Sequence, residues 1–100
     1  MFAVLLLTGG PGAGKSTTLD ALATLLDIDD VEYGAIEAEQ LAWGNPWLGF
    51  DGAVEQLEAV LAVQRRAGRH LMLVAAGVES AAELRLVSTR HARIDYSWCV

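Results

Sequence analysis

Gly9-Gly-Pro-Gly-Ala-Gly-Lys-Ser16 follows directly on the apolar run Phe2-Ala-Val-Leu-Leu-Leu7 and Thr8. The stretch fits G-x-x-x-x-G-K-[ST], a loop whose backbone N–H groups turn inward around a phosphate chain. In that motif the lysine reaches the outer phosphates and the following hydroxyl ligates Mg²⁺. Glycine suits the loop because a side chain would obstruct the close approach of backbone to ligand. The flanks agree with this reading. A strand-like run precedes the loop, and Ser16 to Leu26 places Leu19, Leu22, Leu25 and Leu26 at helical spacing. A helix beginning here adds the partial positive charge of its N-terminus to the phosphate site. The dinucleotide fingerprint G-x-G-x-x-G does not fit, since Gly10 and Gly12 would require a glycine where Lys15 stands.

The chain's 100 residues, 53% of them hydrophobic, suit one small domain spanning 1–100 with an ample core. Its apolar N-terminal run is far shorter than a membrane span and lacks the basic lead of a secretory signal, so a cytoplasmic protein without a membrane partner is expected. Cys99 is the single cysteine, which excludes an intrachain disulfide or a cysteine-cluster metal site and reads as a small buried hydrophobe. A net charge of −6 argues against nucleic acid as a partner, because that affinity depends on neutralising many backbone phosphates. One nucleotide is still allowed. Arg65, Arg66 and Arg69 form a basic cluster at the end of an expected helix, where cations favour the helix dipole.

Strand and helix signals alternate along the chain. Val31–Glu37 reads as a second strand, and Trp43–Gly52, with its Gly, Asn and Pro, as loop. Asp51 suits the cap of a helix whose apolar face is Val54, Leu57, Val60 and Leu61. Leu71–Ala76 is short and continuously apolar, as in a parallel strand buried on both faces. Ser80 and Glu83 form a capping-box pattern for a helix carrying Leu84 and Val87, and Ile94–Val100 reads as a fourth strand. This order implies an α/β fold, a doubly wound and mostly parallel sheet in three α/β/α layers. Ligands of such sheets lie at the C-terminal edge of the strands. That rule brings Gly9–Ser16 near Glu37 and Glu39, which point the same way if the backbone is still extended there. Two readings of the pair stand. The carboxylates deprotonate or bind an acceptor, or hold Mg²⁺ through water; alternatively, they are helix-start acids facing solvent.

On these residues the chain resembles the P-loop kinase branch of nucleoside-triphosphate-binding proteins, the small-molecule and nucleoside-monophosphate kinases of shikimate-, adenylate- and chloramphenicol-phosphotransferase type. The resemblance implies ATP and Mg²⁺ as cofactors and the Gly9–Ser16 loop as a Walker A site. In it, Gly9, Gly10, Pro11, Gly12, Ala13 and Gly14 would form the phosphate cradle. Lys15 would stabilise charge on the transferred phosphoryl, Ser16 would ligate the metal, and Thr17 would meet the α-phosphate. Glu37, at the end of the second strand, would be the carboxylate that engages the acceptor, making Lys15 and Glu37 the catalytic pair.

Two features depart from that pattern. Leu71–Gly77 carries no acid where a third strand often ends in one, and Glu79 is the nearest substitute. The branch also continues into an arginine-bearing lid, a fifth strand and a base-binding loop, so the fold is expected to be incomplete at the C-terminus, with apolar surface left for self-association. Arg85, Arg90 and Arg93 precede the last expected strand and are not assigned to the lid. Trp43, Trp47 and Phe50 either wall an acceptor pocket or cover the sheet as core. His70 and His91 have no ligand-spaced partner and are read as non-catalytic. The functional classes are a kinase-like phosphotransferase acting on a small-molecule or nucleotide acceptor, a nucleotide-binding or hydrolysing module acting through a partner protein, and a fragment that only holds phosphate.

Overall fold

A computed structural model of the chain describes residues 2–9, 14–77 and, for the backbone, 94–99. Strand β1 (Ala3–Gly9) is followed in the chain by helix α1 (Lys15–Ile28). Strand β2 (Gly34–Glu37), a 3-10 turn (Ala38–Leu41), helix α2 (Gly49–Arg66), strand β3 (Leu71–Gly77) and strand β4 (Ile94–Cys99) follow. The four strands form one sheet in the order β2-β3-β1-β4, with every pairing parallel. The crossover from β1 to β2 runs past β3, and the crossover from β2 to β3 comes back. Right-handed connections therefore place α1 and α2 on opposite faces.

The side chains record that division with a period of two. Val4 and Leu6 of β1 and Met72, Val74 and Ala76 of β3 meet Val54, Leu57 and Leu61 of α2. The alternate residues Leu5, Leu7, Leu71, Leu73 and Ala75 face Leu19, Leu22 and Leu26 of α1. Because β1 and β3 pair in register, Leu6 with Val74 and Leu7 with Ala75, each face is a continuous apolar layer. Strands buried on both sides need no polar alternation, which is why these two read as unbroken hydrophobic runs. Arg65 lies over the Phe2 ring, its carbon 5.6 Å from the ring centroid, so one of the basic residues closing α2 also packs on the core's rim. Among the described residues, no helix is long and apolar enough to cross a membrane.

Several expectations shift. The second strand does not begin at Val31: the Val31 amide donates to Leu26 O at 2.9 Å and the Tyr33 hydroxyl donates to Asp27 at 3.0 Å. These bonds bind the segment to the end of α1, which itself runs on through Asp27 to Ile28. Leu25, expected on the apolar face of α1, is 59% exposed, and Val60 of α2 is only half-buried. Asp51 does not cap α2; the helix begins two residues earlier, after Leu48, and Asp51 lies in its first turn, where the dipole favours a carboxylate. The expected helix of Ser80, Glu83, Leu84 and Val87 lies outside the described residues, as do Glu79, Arg85, Arg90, His91, Arg93 and the side chain of Cys99.

Candidate functional site

The loop between β1 and α1 opens at the C-terminal edge of the sheet, where β1 has β3 and β2 on one side and β4 on the other. Sheets of this topology bind ligands at such a switch point. Gly9 closes β1 with φ 152° and Gly14 opens α1 with φ 89°, conformations that a side chain disfavours. No side chain caps α1, and its first turn contains no acid. The leading amides of a helix have no carbonyl partner within the helix itself, so such an N-terminus is a place where an anion can bind. Lys15 lies in that first turn and donates from Nζ to the Gly9 carbonyl at 2.9 Å, so its ammonium is held at the loop's entrance. Thr17 is exposed one residue beyond Ser16. Gly10, Pro11, Gly12 and Ala13 lie outside the described residues.

Ser16 Oγ donates to Glu37 Oε1, and Gln40 Nε2 donates to the other oxygen, Oε2, at 3.1 Å. The half-buried Glu37 is the last residue of β2, paired with Ala75 of β3. A residue two strands from β1 thus reaches the first turn of α1 because that helix lies across this face of the sheet. Glu39 follows in the 3-10 turn, so its backbone is helical rather than extended. Its carboxylate nevertheless comes to the same edge, against the Cα of Gly77 at the end of β3. Gly77 in turn pairs with Gly9. Sequence reasoning missed Gln40 and Gly77. Gln40 had a local signal, its i+3 spacing from Glu37 at the start of a helix-friendly run; Gly77 had none.

Ser16 and Glu37 are oxygen donors of the kind that Mg²⁺ prefers. Among the described residues no group of three or more His, Cys, Asp or Glu could hold a metal by itself.

Beyond the turn, the Leu48 amide donates to Ala42 O at 3.1 Å and closes a loop containing a cis Asn45–Pro46 bond. Trp43 and Trp47, on either side of the loop, are 82% and 72% exposed, so these two do not cover the sheet; Phe50 alone of the three packs against the core. His70 is exposed, and its carbonyl accepts the Ala3 amide at 2.7 Å. A hollow lies at the opposite edge of the sheet, between the ends of α1 and α2. Its lining of Asp27, Asp30, Glu32 and Arg69 carries more negative than positive charge and disfavours phosphate.

No family model matches the chain, and no curated protein does. Solved structures do match. An APS kinase from Mycobacterium tuberculosis, in a cysteine-to-alanine mutant form, is similar at TM-score 0.69 and 21% identity over 99% of this chain and 76% of its own. The C-terminal Sua5 domain of a hypothetical Sua5 protein from Pyrococcus horikoshii is similar at TM-score 0.67 and 15% identity over 99% of this chain and 97% of its own. The chain therefore has a P-loop-like α/β fold.

Proposed function

We propose that this chain binds MgATP on Gly9–Ser16 and transfers the γ-phosphoryl group to a small hydroxyl- or phosphate-bearing acceptor beside Glu37. The observation that carries this reading is the hydrogen bond from Ser16 to Glu37, which puts a carboxylate next to the hydroxyl expected at the metal. Backbone amides from Gly9 to Gly14 and the N-terminus of α1 hold the phosphates, and Lys15 moves from the Gly9 carbonyl to their outer oxygens. Ser16 and Gln40 each take one bond on a different oxygen of Glu37, and a carboxylate has lone pairs for more than those two. It accepts the proton of an acceptor hydroxyl as that oxygen bonds to the γ-phosphorus. The bond from that phosphorus to the bridging oxygen breaks, and ADP leaves with the electron pair. Mg²⁺, when bound, neutralises charge on the β- and γ-phosphates.

The likeness to a Sua5 domain shows that this fold alone does not specify a kinase, so the acceptor is the discriminating reagent. ADP release should be followed with a panel of sugars, nucleotides, amines and APS, the compound in the name of the mycobacterial neighbour. Acceptor-dependent ADP and a phosphorylated product support transfer. Slow hydrolysis indifferent to every acceptor favours the alternative, a nucleotide module that acts through a partner.

A further inference from the structure

A Cβ placed on Gly77 would lie 3.3 Å from Cδ of Glu39 and closer still to Oε1, so the carboxylate occupies the space that any other residue would fill. This seat lies one strand from Gly9, whose carbonyl anchors Lys15. The strand offering the seat, Leu71–Gly77, has no carboxylate of its own. We infer that Gly77 is a positioning residue: its bare Cα seats Glu39 at the end of β3, where that side chain supplies the negative charge the strand's own sequence lacks. The inference rests on the proposed MgATP site and specifies how its second carboxylate is delivered. A metal held at Ser16 would have the charge of Glu39 available to it through water, while Glu37 is bonded to the Ser16 hydroxyl.

The relationship predicts non-additivity, because a methyl group at position 77 is harmful only while Glu39 is there to be displaced. Titration calorimetry with ATP, in Mg²⁺ and in EDTA, should compare the parent chain with Gly77→Ala, Glu39→Ala and the double variant. Each single change should reduce the Mg²⁺-dependent gain in ATP affinity by about tenfold, as loss of an outer-shell partner does. The double variant should bind no more weakly than Glu39→Ala alone, and ATP affinity in EDTA should stay at the parental value throughout. Additive losses, or a folded Gly77→Ala with the parental Mg²⁺ dependence, would overturn the inference and leave the nucleotide site standing. A parent that does not bind MgATP overturns both. Should Gly77→Ala alone unfold, a folded double variant matching Glu39→Ala supports the seat, and an unfolded one refutes it.

Discussion

The hydroxyl of Ser16 donates to Oε1 of Glu37, joining the first turn of α1 to the last residue of β2 across the intervening strand β3. Glu37→Gln keeps the size of the side chain but removes its basicity. Its amide can still offer an oxygen to Ser16, which turns its NH₂ group toward the Gln40 donor. Phosphoryl transfer to an acceptor should fall by about 10²–10⁴, the range typical of a lost general base, with ATP affinity within a few-fold of the parent. Product formation under saturating ATP measures it. A variant that turns over at the parental rate removes Glu37 from the chemistry.

Lys15 reaches the Gly9 carbonyl with its ammonium, a contact that the proposed function would exchange for one to phosphate. Lys15→Ala should cost roughly 1.5–3 kcal/mol of MgATP binding, the worth of a charged hydrogen bond. Lys15 is a member of neither apolar cluster that fills the two faces of the sheet. The thermal unfolding midpoint should therefore stay put while calorimetric affinity drops. Ser16→Ala should instead erase most of the Mg²⁺ dependence, since the backbone amides of the loop remain.

The sheet was legible because β1 and β3 are buried on both faces, which leaves an unbroken apolar signature in Val4–Leu7 and Leu71–Ala76. The Gly9–Ser16 motif stood out because it fixes residue types at set offsets, as a loop shaped to a ligand would, and residues 10–13 of it lie outside the described residues. β2 was harder. Being an edge strand, paired on one side only, it is short, and hydrogen bonds to α1 claim Val31 and Tyr33. The placement of Glu37 at the strand's end was expected, yet its bond to Ser16 depends on how α1 crosses the sheet, which no local pattern encodes. The seat of Glu39 on Gly77 joins residues 38 positions apart through the absence of a side chain, and an absence leaves no periodicity to read.

Gly34 opens β2 where a Cβ would lie 2.6 Å from Met72 Sδ and 2.9 Å from Gln64 Oε1. Met72 is 1% exposed and packed in the α2-side core, so it has little room to yield. Gly34→Ala should lower unfolding stability by roughly 1–3 kcal/mol, the usual cost of overpacking. Denaturant titration measures that loss. Because Gly34 lies at the edge of the sheet remote from the loop, the folded variant should bind MgATP as the parent does. A stability equal to the parent's would show that Met72 and Gln64 repack freely.

Trp43 and Trp47 present large rings to solvent from a loop that starts immediately after the turn carrying Glu39 and Gln40. Since neither ring is packed, Trp43→Ala or Trp47→Ala should change folding stability by no more than about 0.5 kcal/mol, as for other exposed sites. Phe50→Ala, which uncovers core, should cost roughly 1 kcal/mol or more. Acceptor binding separates the two tryptophans from inert surface. Stacking of a flat acceptor ring on an aromatic side chain is worth about 1–3 kcal/mol, so removing the contacting ring should raise acceptor KM by roughly 5- to 150-fold. ATP affinity should not move. Binding of such an acceptor should also perturb tryptophan emission in the parent, and the change should diminish when the contacting ring is removed. If both single variants keep the parental acceptor KM and the parental emission response, the loop does not form the acceptor wall, and recognition must come from the carboxylate edge alone.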